Sequence, residues 1–253
     1  MPAPGLTDPR PALALVHGWG MNARVFDALA AALADGFDVR ALELPGHGGR
    51  TGLPDDTLAA WADDLAQRLP PASVVLGWSL GGQVAMRAAL DHPDKIARLV
   101  LLTSTPRFVA TADWPHGMAA ADLDVFGAAF LADPRGTLGR FLALQTRGAP
   151  DQKTLLQALR RALAEAPEPA PAALAAGLAM LRSTDLRAEA RRIEQPALVI
   201  HGALDTLTPA GAGRWLAAHL PHARALALPR AAHAPHLSHT DAVVAGIRGF
   251  CHA

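Results

Sequence analysis

Three side chains decide what chemistry this chain can do: Ser79, Asp205 and His233. A serine hydroxyl is a weak nucleophile near neutral pH and needs an adjacent base, most often an imidazole. The imidazole in turn needs a carboxylate to fix its tautomer and balance its charge. Ser79 stands at the centre of Gly77-Trp78-Ser79-Leu80-Gly81, with glycines two residues away on either side, where a Cβ would crowd a sharp reversal. Read alone, this pattern also describes a glycine-rich turn with an ordinary serine. The elements around it and the placement of the other two residues have to decide.

The run Val74-Val75-Leu76 leads into the motif as a buried strand, and a helical pattern from Gln83 to Leu90 follows. Strand, tight turn and helix is the context of a nucleophile elbow, and the start of the helix aims free N–H groups at the serine. Further strands are expected at Ala12–Val16, Phe37–Leu42, Leu99–Thr103, Ala197–Ile200 and Ala223–Leu228. Helices fall between them: one after Asn22, which is placed to cap it, one carrying Leu58, Trp61, Leu65 and Leu69, one near 210–219 and one near 240–251. This alternation predicts an α/β fold with a mostly parallel, doubly wound sheet. Between Arg107 and Arg187 the rhythm breaks. Helical patterns near 118–131, 135–146, 151–165 and 170–181, punctuated by prolines, read as an insertion covering the sheet. The expected division is a core of 1–106 and 188–253 with a helical cap of 107–187.

In open α/β sheets, sites lie beyond the carboxyl ends of the strands. Ser79, Asp205 and His233 each follow a strand, in the chain order serine, acid, histidine. Among 11 histidines, His233 is the best placed base; His236 and His239 lie further along, and His201, at a strand end, reads as structural. Asp185 is a lesser rival to Asp205, because it sits where the insertion returns to the core rather than after a strand. A metal site built from two of these histidines and Asp205 has too few ligands and leaves the elbow unexplained, so no metal or cofactor is expected. The oxyanion donors are expected to be the backbone N–H of Leu80 and that of Trp19, in the loop His17-Gly18-Trp19-Gly20.

Composition removes other classes. The chain has 253 residues, of which 51% are hydrophobic and 18% charged, so it can bury a large core. Its formal charge of zero argues against general nucleic-acid binding. The single cysteine, Cys251, permits no internal disulfide and suits a reducing cytoplasm. Met1 to Arg10 lacks the basic-then-apolar pattern of a signal peptide, and there is no run of about 18 apolar residues, so no membrane span is expected.

Taken jointly, His17-Gly18-Trp19-Gly20, Glu43-Leu44-Pro45-Gly46-His47-Gly48, the Ser79 elbow, Gly202-Ala203-Leu204-Asp205 and His233-Ala234-Pro235 resemble the α/β-hydrolase superfamily over essentially the whole length. A narrower likeness, carried also by Arg140-Phe141-Leu142-Ala143-Leu144-Gln145-Thr146, is to the pimeloyl-acyl-carrier-protein methyl ester carboxylesterase family of biotin synthesis. That resemblance implies ester hydrolysis with release of methanol. It also implies an acyl-carrier protein as partner and substrate contacts from Trp19, Ser79, Leu80, Phe141, Leu142, Ala143, Leu144, Gln145 and His233. The expected protein is a cytoplasmic monomer. Two departures stand out: His236 occupies a place where phenylalanine is expected, and the stretch before the first strand is short, so a reduced leading β-hairpin is expected. Carrier proteins are acidic, and the stretch 133–161 holds Arg135, Arg140, Arg147, Lys153, Arg160 and Arg161 against Asp133 and Asp151, a candidate docking surface. Any one of these cations can equally be a solvated helix face. A general short-chain carboxylesterase or another capped hydrolase fits the same triad, and a non-catalytic small-ligand receptor is the alternative from outside the enzymes.

Overall fold

A computed structural model describes residues 10–252. The reading of a reduced leading hairpin falls on residues 1–9, outside the described part. Six strands form one parallel sheet: β1 (Ala12–Val16), β2 (Asp38–Leu42), β3 (Ser73–Trp78), β4 (Ile96–Leu102), β5 (Ala197–Gly202) and β6 (Ala223–Leu228). Their spatial order is β2-β1-β3-β4-β5-β6, so the chain reverses direction of travel across the sheet between β2 and β3.

The side-chain period of two explains the two layers. Leu13 and Leu15 of β1, Leu76 of β3, Leu102 of β4 and Ile200 of β5 face one side, where helices α1 (Asp27–Leu33) and α10 (Thr240–Cys251) cover them. Val16, Val75, Leu101 and Val199 face the other, under α2 (Leu58–Arg68), α3 (Leu80–Asp91) and α8 (Ala210–His219). A strand buried on both faces carries no polar alternation, which is why β3 and β5 read as continuous apolar runs.

Helices α4 (Ala120–Ala132), α5 (Pro134–Gln145), α6 (Gln152–Ala164) and α7 (Pro171–Ser183) lie between β4 and β5. Prolines at the first turns of α5 and α7 match their starts, since proline lacks only an N–H that is unpaired there anyway. Apart from isolated bridges such as Arg107 to Asp185, the stretch contains no strand among the described residues. Asn22 does cap the segment after β1, its Oδ1 accepting from Arg24 N at 3.0 Å, but the first turn, Ala23–Phe26, is a 3₁₀ helix rather than α. A four-residue helix, α9 (Pro235–Ser238), was not expected from the sequence. No helix among the described residues is long and apolar enough to cross a membrane.

Candidate active site

Because all six strands run parallel, the loops leaving their carboxyl ends meet on one edge of the sheet. Ser79 follows β3 directly and holds φ 57° and ψ −121°, a conformation that costs a residue with a Cβ of order 1–3 kcal/mol. The surroundings enforce it. Ser79 N donates to Leu102 O at 3.1 Å, and Ser79 O accepts from Gly82 N at 2.9 Å and from Ser104 Oγ at 2.8 Å. A Cβ on Gly77 would fall 2.4 Å from Gly81 O, and one on Gly81 2.4 Å from Val16 O, so the reversal tolerates only glycine at both places.

Asp205 and His233 are brought together. His233 Nδ1 lies 2.8 Å from Asp205 Oδ2, and both residues are buried. Since Asp205 also takes N–H bonds from Leu207 at 2.9 Å and Thr208 at 3.0 Å on Oδ1, it faces donors on both oxygens. Burial pushes the Asp205 carboxyl up, but the His233 charge and hydrogen bond, with help from His201 and the Thr208 amide, outweigh it and hold the group below its usual range. A carboxylate that stays ionised requires Nδ1 of His233 to carry the proton, which leaves Nε2 as the basic nitrogen. The His233 backbone is clamped as well: its carbonyl accepts from Trp78 Nε1 and Thr103 Oγ1, both at 2.8 Å, and its N–H donates to Gln145 O at 3.2 Å. Among the described residues Ser79 Oγ makes no hydrogen bond to His233, a looseness usual before substrate tightens the site.

The amides of Trp19 and Leu80 find no acceptor among the described residues. Gly18 presses against the serine: a Cβ there would sit 3.0 Å from Ser79 Cβ. The Trp19 indole donates to Leu174 O of α7 at 2.8 Å and packs edge-on against Phe141 of α5, ring centroids 4.9 Å apart.

The segment 141–145 divides by role. Phe141 packs on Trp19, while Leu142 faces the opposite hydrophobic cluster and lines a cavity of about 510 Å³ between α5, α6 and α7. Ala143 and Leu144 are half-buried. Gln145 is buried beside His233, with both side-chain polar atoms unpaired. The cavity also meets Leu138, Leu174, Arg135 and Arg160, yet neither Ser79 nor His233. It adjoins the site through Leu174, whose carbonyl holds the Trp19 indole.

The rival acid, Asp185, is spent elsewhere. It pairs with Arg187 at 2.8 Å and Arg107 at 2.5 Å, and these partners, Arg187 foremost, hold its carboxyl down at about 2. His236 takes no polar role: it is fully buried, both nitrogens are unpaired, and its ring packs on Trp78 and Phe26 at 4.6 and 5.2 Å. Burial, with the nearby His233, lowers its pKa to about 3. It therefore fills an aromatic slot as a neutral ring. The basic stretch is less basic than it reads. Arg135 pairs with Glu168, Arg140 with Asp133 and Arg161 with Glu165, leaving Arg147, Lys153 and Arg160 exposed and without an ion pair among the described residues. Glu165 and Glu168 lie just beyond the stretch 133–161 in sequence, so its local charge pattern does not contain them.

Sequence reasoning also missed Thr208, Thr103 and Trp78. Trp78 is inside the elbow motif and Thr103 directly follows β4 on the edge where the site lies; Thr208 had no signal beyond its nearness to Asp205.

A strained serine on a strand-to-helix elbow and a buried acid–imidazole pair, all on the carboxyl edge of a parallel sheet, are the marks of one family. The chain belongs to the α/β-hydrolase fold family, whose description matches residues 11–240. More particular relatives are known: a pimeloyl-[acyl-carrier protein] methyl ester esterase of Nitrosomonas europaea is 44% identical, covering 92% of this chain and 93% of that protein. One of the same name from Aromatoleum aromaticum is 47% identical, covering 92% and 94%. A solved hydrolase from Pseudomonas aeruginosa PA01 is 33% identical with a TM-score of 0.79, covering 96% of this chain and 91% of its own.

Proposed function

We propose that the protein is a serine carboxylesterase that hydrolyses the methyl ester of pimeloyl-acyl-carrier protein, giving methanol and pimeloyl-carrier protein for biotin synthesis. The observation that carries the reaction class is the buried Asp205–His233 pair beside a serine held at φ 57°. The substrate rests on relatives of that name at 44% and 47% identity.

His233 Nε2 takes the Ser79 proton as Ser79 Oγ attacks the ester carbonyl. The Trp19 and Leu80 amides receive the developing oxyanion. His233 returns the proton to the departing methoxide, which leaves as methanol. A water then gives a proton to His233 and attacks the acyl-serine, and Ser79 recovers its proton as the acid leaves. Asp205 keeps the imidazole in the right tautomer and balances its charge throughout. None of these steps calls on a metal or an organic cofactor.

In this reading residues 107–187 are the cap and 1–106 with 188–253 the catalytic core. Trp19, Phe141 and Leu144 wall the acyl chain, the idle amide of Gln145 meets a polar group of the substrate, and Leu142 faces the cap cavity. Arg147, Lys153 and Arg160 are the cations free to meet an acidic carrier protein, with Arg135, Arg140 and Arg161 at the margin. The enzyme acts in the cytoplasm as a monomer.

Ser79→Ala is expected to abolish hydrolysis while the circular dichroism spectrum and melting temperature stay unchanged; retained turnover sinks the assignment. The substrate is tested by comparing carrier-bound pimeloyl methyl ester with a free short-chain ester. An enzyme that cleaves only the free ester is a general carboxylesterase.

A further inference from the structure

The sequence motif around Glu43 and the buried His17 take no part in the steps above, yet they stand directly behind the oxyanion loop. His17 follows β1 and is fully buried. Its Nδ1 lies 2.9 Å from Gly18 O. A carbonyl oxygen only accepts, so Nδ1 carries the proton. On the far side of the ring, Nε2 faces Leu44 N at 3.1 Å and Glu43 Oε2 at 3.1 Å. Whichever of the two Nε2 serves, accepting from the amide or donating to the carboxylate, Nδ1 keeps its proton. Glu43 is itself anchored, its Oε1 accepting from Ala23 N at 3.0 Å. His47 closes the cage, its ring centroid 5.1 Å from that of His17.

Gly18 O and Trp19 N belong to the same peptide unit. In a trans peptide the C=O and N–H point in opposite directions, so gripping one aims the other. Gly18 O is gripped twice, by His17 Nδ1 and by Met21 N at 3.3 Å. Trp19 N–H has no acceptor among the described residues, and the Gly18 end of the unit lies against Ser79.

We infer that His17 is a positioning residue for the oxyanion hole: its Nδ1–H, with the ring locked by Leu44 and Glu43, holds the Gly18–Trp19 peptide so that the Trp19 N–H faces the ester oxyanion. This rests on the reading of Trp19 N–H as an oxyanion donor. A peptide free to rock presents its N–H in fewer of its conformations, and the loss falls on the transition state, where the charge is, rather than on the bound ester.

Three measurements test it, the first with a free short-chain ester. His17→Phe keeps the ring and removes the donor; kcat is expected to fall by about 10- to 100-fold with KM little changed, less than or equal to the loss of an oxyanion donor outright. An alkyl trifluoromethyl ketone, which mimics the tetrahedral state, should lose affinity by a similar factor. His17→Asn, with a donor near the place of Nδ1, should recover part of both. Unchanged kcat in a folded His17→Phe, or a loss appearing in KM alone, overturns the inference. The third measurement needs no substitution: a long-range ¹H–¹⁵N spectrum of the wild type should show His17 Nδ1 protonated, and a bare Nδ1 overturns the inference even if both variants fail to fold. Failure of the wider reading shows differently, as ester hydrolysis that survives Ser79→Ala.

Discussion

At the scale of single residues, the site depends on charge states that burial and neighbours impose. Asp205→Asn keeps the shape but turns a carboxylate into an amide that can donate to His233 Nδ1, favouring the wrong tautomer. Turnover should fall by about 10⁴-fold with the fold unchanged, as read by kcat on a free ester. His236 supplies a pH prediction. Its folded pKa, about 3, lies below its ordinary 6.5, so between these values the unfolded chain binds the extra proton. Its neutral burial thus costs stability progressively as pH falls from about 6.5 towards 3. His236→Phe removes that loss and fills the same slot against Trp78 and Phe26. Denaturant unfolding at a series of pH values should show a shallower acid decline in the variant; an identical slope would mean that the ring is not buried as a neutral imidazole. His47, also lowered to about 3, chiefly by burial and by His17, keeps the remaining slope in the same direction.

At the scale of elements, the elbow and α7 show what sequence patterns carry and what they omit. The elbow was legible because its requirement is steric and local: two glycines, a strand before and a helix after. Gly77→Ala would drive a Cβ to 2.5 Å from Gly82 Cα, backbone against backbone, and should destabilise the fold by about 3 kcal/mol or more in denaturant unfolding. The Trp19 indole bond to Leu174 was not legible. Its partners are 155 residues apart and the acceptor is a main-chain oxygen, which no side-chain pattern announces. Trp19→Phe keeps an aromatic ring but removes the second donor to a carbonyl that already sits inside the α7 ladder, and the melting transition should reflect a loss of about 1 kcal/mol. The same limit explains Leu142. Its place in a run with Phe141 implies a shared role, yet successive helical residues point about 100° apart, and the two face different clusters. It also explains Thr208, whose donors matter only once the turn after β5 is folded.

At the scale of the whole molecule, alternation of strands and helices was enough to give a parallel sheet, and a parallel sheet was enough to place three distant loops on one edge. Electrostatics read worse than topology. The excess of cations in 133–161 shrinks once acids from beyond the stretch fold back onto Arg135 and Arg161. The three cations left unpaired define a salt prediction. If they meet an acidic carrier protein, kcat/KM for the carrier-bound ester should fall as ionic strength rises, while the free ester is indifferent. Neutralising Arg147, Lys153 and Arg160 should flatten that dependence. Equal salt responses for both substrates would remove the docking surface and leave the catalytic reading intact.

Three of the inserted helices are hydrogen-bonded to residues outside the insertion: Gln145 O at the end of α5 accepts from His233 N at 3.2 Å, and Ala162 O of α6 accepts from Asn22 Nδ2 at 2.9 Å. Two hydrogen bonds fasten the first turns of α7: Ala170 N to Gly46 O at 2.7 Å, and the Trp19 indole to Leu174 O. Gly46 lies on the loop after β2, and Trp19 on the loop after β1 that carries the proposed oxyanion donor. For protein engineering this makes α7 part of the chassis rather than part of the exchangeable specificity module. A chimera that imports α5 and α6 from a relative with a different acyl preference changes the walls of the cavity and leaves the α7 fastenings in place, provided the new helices still present main-chain carbonyls to His233 N and Asn22 Nδ2. One that imports α7 as well trades substrate range against the geometry of the reaction centre itself.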